Sequence, residues 1–214
     1  MSTTGLLLAV AALFAVLDWV AVGTGNRAME YVFKPATMVP LIIAAATLDG
    51  PSSAMQVWFT VALVLSLAGD VFLMLPDEET WFVPGLGSFL LGHVAYVIGL
   101  VIGGINGLAL VAGVLGVVVL MALVAPRIIQ GAASKDRRLG PPVLAYMLVI
   151  SAMVACAIGS GVPAAFVGAS LFYLSDATIG WSRFVKDFRS SGLVIITTYH
   201  AAQLLLVVSL LVAR

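Results

Sequence analysis

Apolar runs of about twenty residues follow one another along almost the whole chain, broken only by short polar joints. Eight such runs can be drawn, at about 5–22, 34–48, 53–75, 82–102, 106–125, 141–159, 163–181 and 191–213. Most match the roughly 20 helical residues that cross 30 Å of hydrocarbon; the second is short and carries Pro35 and Pro40. The joints are turn-forming: Gly23-Thr-Gly-Asn26, Asp49-Gly-Pro-Ser52, Pro76-Asp77, Gly103-Gly104, Gly140-Pro-Pro142 and Gly159-Ser-Gly-Val-Pro163. Joints this short predict antiparallel neighbours, so the expected fold is all-α, a polytopic membrane bundle of eight transmembrane helices forming a single domain over residues 1–214.

Composition agrees with the pattern. Hydrophobic residues make up 62% of the 214 and charged residues only 9%, far from the balance of a soluble domain. The chain has no basic tail that would suit nucleic acid, and its single Cys156 cannot form an intrachain disulfide. The first apolar run has no basic n-region and contains Asp18, so it is read as a helix rather than a cleaved signal peptide.

Charge sets the expected orientation. Arg27 and Lys34, then Arg127, Lys135, Arg137 and Arg138, then Arg183, Lys186 and Arg189 fall in joints on one face, leaving only Arg214 on the other. Basic loops stay in the cytoplasm, which predicts both termini outside, in the inner (cell) membrane of a bacterium. Without the short second helix these basic joints would scatter over both faces, so it is retained. A repeat is also visible: Asp70 and Asp176 are 106 positions apart, as are Pro35 and Pro141, which suggests two parallel four-helix halves. His93 follows Asp70 by 23 positions and His200 follows Asp176 by 24.

The candidate chemistry lies in this repeat. Asp70 stands in Leu65-Ser-Leu-Ala-Gly-Asp70-Val-Phe72 and Asp176 in Phe172-Tyr-Leu-Ser-Asp176-Ala-Thr178, both inside apolar runs. A carboxylate within a membrane costs about 2.5–3.5 kcal/mol on insertion scales and needs a partner or a polar cavity. Each aspartate is five residues from the cytoplasmic end of its run, roughly 7–8 Å deep at 1.5 Å per residue. His93 and His200 are expected nearer mid-membrane, with Asp18 and Lys34 near the cytoplasmic interface, Lys34 reaching Glu30 or substrate. Residues three or four apart share a helix face, which sets Asp70 with Ser66, Asp176 with Tyr173, and His93 with Phe89 and Tyr96. Two carboxyl groups facing one cavity of low dielectric resist ionising together and so supply an acid and a base. Such a pair suits hydrolysis through an oxocarbenium-like transition state.

At these residues the chain resembles the YhhN family of integral membrane proteins, whose animal members are lysoplasmalogenases. The resemblance rests on Lys34-Pro35, Gly69-Asp70, Phe89-x-x-Gly-His93-x-x-Tyr96 and Ser175-Asp176, and extends over nearly the whole chain. It implies hydrolysis of the vinyl ether bond of a lysophospholipid, giving a fatty aldehyde and a glycerophospho-alcohol. The family's two essential acids map onto Asp70 and Asp176. The resemblance places Lys34 at the phosphate and His93, Tyr96, Tyr173 and His200 around water or glycerol, in a site open to the cytoplasm and surrounded by membrane lipids. Neither metal nor cofactor is required by this scheme, and which aspartate acts as the acid stays open. The alternative reading is a proton-coupled small-molecule or lipid transporter that uses the same aspartates as proton relays.

Overall fold

The computed structural model describes residues 2–48 and 52–212. Asp49 to Pro51 of the second joint, and Arg214, therefore lie outside the described residues. Eight α-helices account for nearly all of the rest: α1 Thr3–Thr24, α2 Arg27–Thr47, α3 Ser53–Met74, α4 Glu78–Gly103, α5 Gly107–Lys135, α6 Gly140–Gly159, α7 Pro163–Phe184 and α8 Ser191–Val212. The joint residues read as turn signals act as caps. Asn26, Ser52 and Asn106 each accept a hydrogen bond from the backbone N–H three residues on, satisfying donors that a helix start leaves open. Proline opens α6 and α7 within their first two positions, where a missing N–H costs nothing.

The two largest boundary differences from the sequence expectation, at the start of α2 and the end of α5, arise because proline did not end a helix. α2 begins at Arg27, capped by Asn26, and passes through Pro35 and Pro40, which makes it 21 residues long. The helix in doubt is therefore of spanning length, and Lys34 sits two turns inside it rather than in a joint. α5 continues through Pro126 to Lys135, carrying Arg127 and Lys135 on a helix. Seven of the eight helices are long and apolar enough to cross a membrane; α7, at 22 residues, has the length but is less apolar, because it carries Tyr173, Asp176 and Arg183.

Packing repeats half by half. The closest associations are the hairpins α3/α4 and α7/α8, followed by α1/α2 and α5/α6. Gly92 of α4 lies against the Ala62 carbonyl of α3, and Gly168 of α7 against the Ala202 carbonyl of α8, so in each half a glycine lets the hairpin close up. The halves join unequally. α1 packs on α8, yet among the described residues no Cα of α4 comes within 8 Å of one in α5, although those pairs correspond under the 106-residue repeat. Phe82 of α4 and Ala125, Ile128 and Ala132 of α5 instead share a satellite cluster with Val143 and Met147 of α6 and Phe184 of α7, beside the main core. α5 turns most of its apolar surface outward, with Leu115, Val118, Val119 and Leu123 exposed, as a lipid-facing helix does.

The far end of α5 holds the end of α7. Gly131 abuts the Phe184 carbonyl so closely that a Cβ there would run into it, and Lys135 Nζ donates to the Arg183 carbonyl at 2.5 Å, a basic side chain on a helix C-terminus. Gly131→Ala should therefore lower unfolding stability in detergent by about 1–3 kcal/mol through overpacking. Gly116→Ala, on the same helix with open space around it, should be neutral or gain up to about 1 kcal/mol; equal effects at the two positions would contradict the close contact.

Candidate functional site

The polar side chains of the membrane interior gather at two centres. The first is built by α1, α2, α3 and α8. Asp70 is buried at 1% exposure, with Lys34 Nζ 3.4 Å from its Oδ1 and the Tyr199 hydroxyl donating to its Oδ2 at 2.6 Å. Lys34 remains 13% exposed, so the cation reaches in from the interface along its own aliphatic stem. Beside it, His200 Nε2 lies 3.9 Å from Asp18 Oδ2, both side chains fully buried. Asp18 was expected at the interface. Its place in α1 turns it instead into the bundle, opposite α8.

The second centre is built by α4, α6 and α7. The Tyr146 hydroxyl donates to Asp176 Oδ2 at 2.5 Å, and His93 Nε2 stands 3.5 Å from the same oxygen. The His93 ring is held edge-on against Phe172 at 4.5 Å and Tyr146 at 5.4 Å. Asp176 and Tyr173 line a cavity whose other walls are almost wholly apolar, among them Leu86, Phe89, Ile128, Met147 and Phe184. It runs inward from the charged ends of α3 to α7. At about 50 Å³ it is well below the roughly 150 Å³ of an apolar cavity that holds benzene. It admits a few atoms, not a whole lipid.

Asp70 does not line this cavity. An aromatic layer divides the two centres: Phe89, Phe172 and Tyr199 meet edge to face with centroids 5.4–6.3 Å apart. Gly69, next to Asp70, is what admits the Phe89 ring, since a Cβ there would come within 2.6 Å of it. Of the expected site residues, His93, Tyr173 and Asp176 thus come together, and Lys34 joins Asp70. Tyr96 and His200 join neither aspartate: the Tyr96 hydroxyl donates to Gln203 Oε1, and His200 faces Asp18.

Sequence reasoning missed Tyr146 and Tyr199, and it set Asp18 at the interface. A signal for Tyr199 existed. The 106-residue shift that carries Asp70 onto Asp176 carries His93 onto Tyr199, not onto His200. In the structure these equivalents exchange partners across the halves, α4 supplying His93 to Asp176 and α8 supplying Tyr199 to Asp70.

Comparison with known proteins adds an independent line. A model described as the YhhN family matches residues 29–210, a span that holds every residue of both centres except Asp18. A Mycobacterium tuberculosis protein named lysoplasmalogenase is 33% identical over 192 residues, covering 86% of this chain and 70% of its own. The human lysoplasmalogenase TMEM86B is 36% identical over 150 residues, 70% of this chain and 62% of its own. No solved structure matches the chain.

The Lys34–Asp70 pair gives a test of the first centre. Removing one partner of a buried ion pair strands the other charge, so Lys34→Met should cost about 3–5 kcal/mol of unfolding stability. Adding Asp70→Asn should restore much of that loss. A double variant no more stable than Lys34→Met alone would show that the two side chains are not coupled.

Proposed function

Because the chain belongs to the YhhN family, we propose that it is a membrane-embedded hydrolase that cleaves the vinyl ether bond of lysoplasmalogen-type lysolipids, as its relatives' names describe for them. The observation that carries this reading is Asp176, a carboxyl group with two polar partners on the wall of an otherwise apolar cavity. Vinyl ether hydrolysis asks for that combination: an acid that can protonate carbon, in surroundings that accept an alkenyl chain. The cavity holds the atoms around the bond, and the rest of the chain lies along the side-chain wall between α4 and α5 towards the bilayer.

The balance of the reaction fits one acid acting twice. Asp176 in its acid form protonates the β-carbon of the vinyl ether, leaving an oxocarbenium ion and an aspartate. That carboxylate stabilises the cation and takes a proton from the attacking water, giving a hemiacetal. Collapse of the hemiacetal, with proton transfer to the leaving glycerol oxygen, releases fatty aldehyde and glycerophospho-alcohol, one water consumed. Tyr146, donating to Oδ2, fixes the carboxyl and leaves Oδ1 for the substrate; His93 and Tyr173 orient water and glycerol. Asp70 has a different part. Held as an ion pair by Lys34 behind the aromatic layer, it anchors Tyr199, whose ring meets Phe89 edge to face and so sets the wall. Tyr96 and His200 stand outside this scheme.

Orientation belongs to the same reading. The basic ends of α5 and α7 face the cytoplasm of a bacterial cell, the site opens there, and both termini are outside. Alkaline phosphatase fused to the C-terminus should be active in whole cells; a fusion active only as a cytoplasmic reporter would reverse the topology.

For the chemistry, purified protein incubated with alkenyl lysolipid should release aldehyde detectable by mass spectrometry, with acyl lysolipid of the same headgroup left intact. Asp176→Asn should lower turnover by at least about 10²–10⁴-fold without loss of folding, the range for removing a general acid. Full turnover in that variant would rule out the mechanism.

A further inference from the structure

We propose that Arg183 is the headgroup anchor of the Asp176 cavity, binding the substrate's phosphate while the aspartate acts on the ether bond; this rests on the hydrolase reading above. The sequence placed the phosphate at Lys34. In the structure Lys34 is committed to Asp70 at 3.4 Å. Drawing it to a phosphate would strand a buried carboxylate.

Arg183 is differently placed. Its guanidinium carbon lies 3.7 Å from the centroid of the Phe82 ring, and Phe82 is a wall of the cavity, as is the neighbouring Phe184. Stacking occupies the face of the guanidinium plane and holds its orientation, while the N–H donors along its edges stay available for a bidentate anion. A second cation stands at the same rim: Lys135 Nζ is 5.9 Å from the Phe184 ring, and its bond to the Arg183 carbonyl fixes the backbone from which the arginine projects.

The spacing agrees with the substrate. Arg183 follows Asp176 by seven residues on α7, which puts both on one face about 10.5 Å apart along the axis. In a lysoplasmalogen five bonds separate the ether oxygen from phosphorus, roughly 6 Å when extended at ordinary bond lengths. A gap of a few ångströms is left, which the length of the arginine side chain can take up. The phosphate then sits at the charged rim with the ether oxygen beside the carboxyl.

The test compares two substrates with the same alkenyl chain, one a lysoplasmalogen and the other the alkenyl glycerol that lacks the phosphate. Wild-type protein should prefer the phosphate-bearing substrate in kcat/KM. Arg183→Gln should erase that preference by about tenfold or more, chiefly through KM, the scale of a lost charge-assisted hydrogen bond; Arg183→Lys, which keeps the charge but not the planar fork, should restore part of it. An arginine that only touched phosphates of the surrounding bilayer would change both substrates alike or neither, and either result overturns the assignment. Absence of aldehyde from both substrates with wild-type protein would instead remove the hydrolase reading on which the inference rests.

Discussion

A carboxylate among hydrocarbon-facing helices has to be matched, and the arrangement of α2, α3 and α8 follows from matching Asp70. The pair with Lys34 fixes how α2 lies against α3, because a cation on a flexible stem has to enter from the interface and stop within reach of a buried oxygen. The Tyr199 hydroxyl brings α8 to the same carboxylate, and its ring continues into Phe89 and Phe172. Through that chain of contacts a single charge organises the wall behind which the second aspartate stands. The polar groups of this bundle thus act partly as registration devices, the use for which buried ion pairs are best attested.

The two aspartates, alike in sequence, are unlike in their surroundings. One has a formal cation and a tyrosine and no access to the cavity; the other has a tyrosine, a histidine and an apolar space. Equivalent positions in the two halves therefore sit in different surroundings, and the exchange of His93 and Tyr199 across the halves makes each centre depend on both. Neither half would hold a complete site by itself.

Much of this was legible in the chain. Apolar runs and capping residues gave eight helices, because membrane length and backbone satisfaction leave few other options, and a carboxylate within such a run marks itself by its cost. Boundaries failed most at Pro35 and Pro126, where membrane packing tolerates what would end a soluble helix. Asp18 misled for a related reason: its distance from the end of α1 reports depth, but only the angular position of its face decides between interface and interior. Tyr146 and Tyr199 gave no signal of their own, since an aromatic residue in an apolar helix is ordinary, and the match of His93 to Tyr199 rests on a shift that two similar histidine spacings concealed.

The unequal joining of the halves bears on time as well as shape. Where α1 meets α8 the two helices pack directly on each other, and parting them would need helices to move, a process of microseconds to milliseconds. Between α4 and α5 only side chains such as Phe82, Leu86 and Ile128 stand in the way. Opening such a wall asks for rotamer changes of buried side chains, Phe82 and Ile128 among them, without displacement of a helix. Under the proposed hydrolase reading, an aliphatic chain entering at this seam would displace side chains rather than helices.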